Sequence, residues 1–186
     1  MLDPLPPLTV AWALAVLLAA AALHKLSAWR EWPGLIRNYA LVPDGATLIV
    51  AVILPACEVL VACALVWPPA RTAGASAAAA LMVGYALALQ INLWRGRTTI
   101  DCGCFGSRLK QGIAPWMVWR NLLLAGLALL LRLPAGGRAL TTGDLVVAGA
   151  AVATLAFLYP VLAVVARAPP PSFEQNFHAA RARPER

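Results

Sequence analysis

Apolar positions in this chain collect in five long runs, at residues 8–26, 46–67, 74–94, 116–133 and 145–166, each bounded by short polar stretches. Crossing about 30 Å of hydrocarbon takes about 20 mostly apolar residues in a helix. Lipid offers the backbone no hydrogen-bond partners, so all five runs are predicted to be helical spans. Small residues recur within them, as in Gly74-Ala75-Ser76-Ala77-Ala78-Ala79-Ala80 and Gly149-Ala150-Ala151. Such residues let membrane helices approach closely. The pattern predicts an all-α integral membrane fold, one bundle of about five transmembrane helices over residues 1–166, followed by a basic, flexible tail at 167–186. The tail is marked by Pro169-Pro170-Pro171 and by Arg181, Arg183 and Arg186. Before the first run stand Asp3 and three prolines but no Lys or Arg, so that run is expected to be retained as a span rather than cleaved as a secretory signal.

Composition agrees: 61% of residues are hydrophobic, 12% are charged and the mean hydropathy is +0.75. The seven tryptophans lie at or near the ends of the runs, where amphipathic rings prefer the headgroup layer. The net charge of +7 is spread over the connecting loops, which fits topology and anionic lipid and not nucleic acid. With five spans, three basic residues (Arg71, Arg132, Arg138) fall on one side and the other twelve on the opposite side. The positive-inside rule then places the loop at residues 95–115 in the cytoplasm.

That loop carries Asp101-Cys102-Gly103-Cys104-Phe105-Gly106. A disulfide closed across one residue is strained, and strained disulfides are readily exchanged. Arg95, Arg97, Arg108 and Lys110 favour thiolate at Cys102 and Cys104, and Asp101 is a candidate proton acceptor. Two thiolates can also hold copper(I), and a pair of inert surface thiols is the plain alternative. Zinc is disfavoured, because His24 and His178 are distant in sequence. Cys57 and Cys63, six residues apart in the second run, fall on different helix faces and read as small core residues.

Glu58 stands in the middle of the second run, one turn after Pro55. A carboxylate at that depth needs a partner or a function. Arg120, Asn121, Gln90 and Asn92 are the polar residues expected to meet it, while His24 and Lys25 are expected to snorkel to the interface.

Arg95-Gly96-Arg97 followed by Ile100-Asp101-Cys102-Gly103-Cys104-Phe105-Gly106 resembles the signature of the MauE family of methylamine-utilisation membrane proteins, which are grouped with DoxX-like redox-associated proteins. Lys25-Leu26, Asn38-Tyr39, Pro43, Pro55 with Glu58, and Arg120-Asn121 follow the family order, so the resemblance covers roughly residues 8–133. Ala22 stands where the family has glycine, and the tail has no counterpart. The resemblance implies a multi-pass protein of the bacterial inner membrane that works with a MauD-like thioredoxin-fold partner in maturing the methylamine dehydrogenase small subunit. It implies that Cys102 and Cys104 are the redox pair, with Glu58 and Arg120 as intramembrane support. It further implies a four-helix core like that of the vitamin K epoxide reductase and DsbB-type oxidoreductases, with a quinone as a candidate cofactor. A non-enzymatic assembly factor for the dehydrogenase and a copper(I)-handling protein are the alternatives. A periplasmic partner calls for the cysteine pair on the periplasmic side, opposite to the side favoured by the basic residues.

Overall fold

The computed structural model describes residues 3–98, 112–134, 136 and 138–165, with side chains as far as 158. Asp101, Cys102, Cys104, Arg108, Lys110 and the tail at 167–186 lie outside the described residues. Among the described residues six α-helices follow one another: α1 (Leu5–Ser27), α2 (Trp32–Tyr39), α3 (Thr47–Val66), α4 (Arg71–Trp94), α5 (Pro115–Leu130) and α6 (Thr142–Val165). Short 3-10 turns, Asp44–Ala46 and Pro68–Ala70, lead into α3 and α4. The three segments Leu5–Ser27, Asp44–Val66 and Pro68–Trp94 are each long and apolar enough to cross a bilayer, and Pro115–Leu130 and Thr142–Leu158 are shorter apolar helices. The protein is an all-α, multi-pass membrane protein.

Helix starts are written in the sequence. Pro6 and Pro7 occupy the first turn of α1, where a missing N–H costs nothing, and the Asp3 carboxylate accepts the Leu5 N–H at 2.9 Å. Pro115 opens α5 in the same way. Thr141 and Asp144 form a capping box at α6: the Asp144 N–H donates to Thr141 Oγ1 and the Thr141 N–H donates to Asp144 Oδ2. Arg138 joins that box to the start of α1, donating to both Asp144 and Asp3. Its guanidinium holds both carboxyls below the usual carboxylate range, and Asp144 in turn raises Arg138.

α1 packs against α3, α5 and α6, and α4 packs against α3 and α5, so α1, α3, α4 and α5 close a ring with α6 outside it against α1. The core is built from small residues and a few large ones, with Leu14, Leu18, Leu65 and Met82 set among Ala15, Ala62, Ala75, Ala78, Ala79, Ala125 and Ala128. Gly74 marks the tightest approach: a Cβ there would lie 3.0 Å from backbone and side-chain atoms of Ala64 and Leu65. Small residues permit this contact, which takes the place of a hydrophobic driving force that lipid does not supply.

α1, α3, α4 and α5 each bury a stripe at three- and four-residue spacing, and each of these four stripes includes a polar or charged group. Ala11, Leu14, Leu18, Ala22 and Lys25 form it on α1, and Thr47, Ala51, Pro55, Glu58, Ala62 and Leu65 form it on α3. Asn92 and Asn121 continue it on α4 and α5. The helical period itself therefore carries these groups into the bundle.

Candidate functional site

Glu58 has no exposed surface. Its Oε1 accepts hydrogen bonds from Lys25 Nζ of α1 and from the Tyr85 hydroxyl of α4, each at 2.5 Å. Its Oε2 is buried and, among the described residues, has no hydrogen-bond partner. The Lys25 ammonium also lies 5.4 Å from the centre of the Trp32 ring and 5.5 Å from that of Tyr85, within range of cation–π attraction. One carboxylate, one ammonium, one hydroxyl and two aromatic faces therefore meet inside the ring of helices.

Pro55 lies one turn before Glu58 on the same stripe. Proline has no N–H to give to the carbonyl four residues earlier, which leaves the Ala51 carbonyl without its helical bond. The indole N–H of Trp32 fills that gap, donating to Ala51 O at 3.0 Å. Trp32 is the first residue of α2, and together with Ile36 it packs against Ala51. The short helix is thus docked on α3 beside Pro55.

α4 ends in a Schellman motif. Gly96, at φ +69°, donates to Leu93 O, and the Arg97 N–H reaches back to Asn92 O at 3.0 Å. Arg95 donates from Nη1 to the carbonyl of Ala40, the left-handed residue that closes α2, at 3.0 Å. Here the chain leaves toward residues 99–111, which include the cysteine pair, and it returns through Ile113 and Met117, buried with Ala86 and Leu89.

Lys25 does not snorkel to the interface. It is buried at 7% exposure, because its place on the α1 stripe points it inward and Glu58 supplies the counter-charge. The donors to Glu58 are accordingly Lys25 and Tyr85, and not the α5 pair or the amides of α4. Arg120 stands half-buried 5.5 Å from the Trp116 ring, and Asn121 donates to the carbonyl of Met117. Asn92 donates to Ala88 O, and its Oδ1 is buried without a partner among the described residues. Tyr85 and the α2 helix were not foreseen. Trp32 is buried in protein rather than resting in the headgroup layer, and Cys63 is exposed on the outer face of α3 rather than in the core. Cys57, half-buried, does not pair with it. An open groove of about 620 Å³ runs past Leu26, Trp29, Val52, Pro55, Val59 and Leu60. Among the described residues its walls are apolar apart from the Trp29 indole, and none of them supplies the paired donors that the two carbonyls of a quinone require.

The family model described as Methylamine utilisation protein MauE matches residues 4–134. The Methylamine utilization protein MauE of Paracoccus denitrificans is 46% identical over 156 residues, covering 80% of this chain and 84% of that one. The protein of the same name from Paracoccus versutus is 44% identical over 116 residues, 62% of each chain. That of Methylophilus methylotrophus is 38% identical over 128 residues, 68% of this chain and 67% of its own. No solved structure matches.

Proposed function

The chain belongs to the MauE family, and from that premise we propose that it serves methylamine utilisation as an inner-membrane factor, maturing the methylamine dehydrogenase small subunit by thiol-disulfide exchange. On this reading residues 1–166 form one bundle of five spans and 167–186 a basic tail. Cys102 and Cys104 are the exchanging pair, and a MauD-like thioredoxin-fold protein is the partner. The observation that carries the reading is the Cys-Gly-Cys sequence itself, which lies inside the matched residues 4–134 and is flanked by Arg95, Arg97, Arg108 and Lys110.

The chemistry is ordinary exchange. One thiol of the pair gives its proton to Asp101 or to water, and the thiolate attacks a sulfur of the partner's disulfide, displacing the partner's other sulfur as thiolate. The second cysteine then attacks the mixed disulfide. The Cys102–Cys104 bond closes, the partner leaves as a protonated dithiol, and two electrons have passed to it. Run in reverse, the same steps oxidise the partner. The strain of so small a ring keeps both directions accessible. Glu58 and Arg120 support the bundle from which the loop springs.

Single Cys102→Ser and Cys104→Ser variants should each be tested for a mixed disulfide with the thioredoxin-fold partner, seen as a reducible higher band. One variant is expected to accumulate it, and failure of both contradicts the exchange. Labelling the pair in intact cells with a membrane-impermeant thiol reagent, before and after reduction, reads its side and its redox state together.

A further inference from the structure

We propose that Glu58 is a proton-exchange site, in which a proton at Oε2 replaces the Lys25 ammonium as counter-charge and the docking of α2 follows the exchange. The proposal uses described residues alone and does not depend on the cysteine chemistry.

Three features carry it. The first is the asymmetry of the carboxylate: both donors are on Oε1, while Oε2, buried and without a donor, is where a proton can land. An anionic oxygen left unsatisfied in a dry interior is costly, so the ionised form is held chiefly by its ion pair. The second is the position of Lys25, two residues before the end of α1 at Ser27. Its aliphatic stem can carry the ammonium from the bundle to the headgroup layer. Protonating Glu58 with Lys25 in place would strand a buried cation. Protonating it as Lys25 swings out keeps the interior neutral, because one aqueous proton enters and one ammonium leaves. Both forms of the bundle therefore avoid an uncompensated charge.

The third feature is what the ammonium touches. Lys25 faces the Trp32 ring, and the Trp32 indole caps the Ala51 carbonyl exposed by Pro55. Withdrawal of the ammonium takes one of the holds on Trp32 away and loosens α2. The far end of α2 receives Arg95, at the base of the loop-bearing segment, so the exchange is reported at that end of the bundle.

Every element packed on α3 can be checked for competing groups. α1 brings Lys25, with His24 next to it; α4 brings Tyr85 and, two turns away at the other end of α3, Arg71, which donates to Leu65 O; α2 turns Trp32 inward and keeps Arg37 exposed. The turn before α3 carries exposed Asp44, the turn after it (Pro68–Ala70) has no titratable side chain, and α3 itself adds Cys57 and, on its outer face, Cys63.

The test uses the full chain in phosphatidylcholine nanodiscs with two readouts. In an acid-minus-neutral infrared difference spectrum the wild type should show a protonated carboxyl band of apolar surroundings, and Glu58→Gln should lack it. Lys25→Met, which removes the ammonium, should show that band already at neutral pH. Amide-exchange protection across 33–40 should fall at least about threefold on acidification in the wild type and be low at both pH values in Glu58→Gln. If the pair is purely structural, the wild type shows no such band while the chain remains folded, which also overturns the proposal. The proposal is overturned if the band survives Glu58→Gln, if Lys25→Met shows none at neutral pH, or if wild-type protection of α2 is the same in acid. Should Glu58→Gln not fold, the Lys25→Met spectrum and the wild-type protection decide.

Discussion

Replacing Lys25 with Met removes the ammonium from Glu58 and keeps an unbranched apolar stem of similar length. Glu58 then retains the Tyr85 hydroxyl as its only remaining donor among the described residues, at a position with no exposed surface. Three magnitudes bound the cost. Hydrogen bonds between side chains in membranes average about 0.6 kcal/mol, a lone acidic side chain at mid-bilayer depth costs about 2.5–3.5 kcal/mol, and removing one partner of a buried pair in soluble proteins costs about 3–5 kcal/mol. The hydrogen bond alone is the smallest of these, so the stranded carboxylate decides the outcome, and its ability to take up a proton trims the cost. Lys25→Met should therefore lose about 2–3 kcal/mol. Glu58→Gln should lose about 1 kcal/mol, because Lys25 can still reach the headgroups. The double variant Lys25→Met, Glu58→Gln should return to within about 1 kcal/mol of wild type, since a buried pair adds little net stability over a neutral replacement. Reversible unfolding in mixed micelles, followed by circular dichroism, measures all three. If Lys25→Met unfolds with the wild type, or the double variant is as unstable as the single, the pairing described for Glu58 is wrong.

Trp32→Phe keeps an aromatic ring but leaves the Ala51 carbonyl unpaired, with an expected loss of about 1–3 kcal/mol and faster amide exchange across 32–39 and around Pro55. Gly74→Ala drives a methyl to 3.0 Å from Ala64 and Leu65 and should cost about 1–3 kcal/mol in the same unfolding assay. Gly126→Ala, with nothing within 4 Å of the added Cβ, should be neutral or stabilising by up to about 1 kcal/mol. The Asp3–Arg138–Asp144 clasp rests on carboxyls whose values are lowered in the fold. Its contribution is present throughout the neutral range and is lost only as the pH falls through those lowered values. Amide exchange at the start of α1 should therefore rise in acid, and Arg138→Ala should show the raised exchange already at neutral pH.

The apolar runs located α1, α3, α4, α5 and α6 to within three residues at either end, because apolar length is read directly from the sequence. Lys25 could have been placed as well. Extending the buried spacing of α1 from Leu18 and Ala22 lands on residue 25, and the same exercise on α3 lands on Glu58. Reading Lys25 by its chemistry alone, as a cation near a helix end, overlooked that register. Tyr85 gave less warning, since a tyrosine among apolar residues fits lipid or core equally well, and its role depends on how α3 and α4 align. α2 is only eight residues long and lies in a stretch with no long apolar run. Its signal was the pairing of Pro55 with a distant indole, a relation made by tertiary packing. Gly96 could be recognised, because a glycine directly after a helical run is the usual C′ residue of a Schellman motif.

The central claim, exchange through Cys102 and Cys104, is tested most directly in cells that depend on this chain for methylamine dehydrogenase. With the Cys102→Ser, Cys104→Ser double variant present in the membrane at the wild-type level, the disulfide content of the dehydrogenase small subunit and the activity of the enzyme are measured. The account predicts that both are lost while the bundle remains folded. A small subunit with its full set of disulfides and an active dehydrogenase would contradict it, and would leave the chain as an assembly factor whose cysteines play no part.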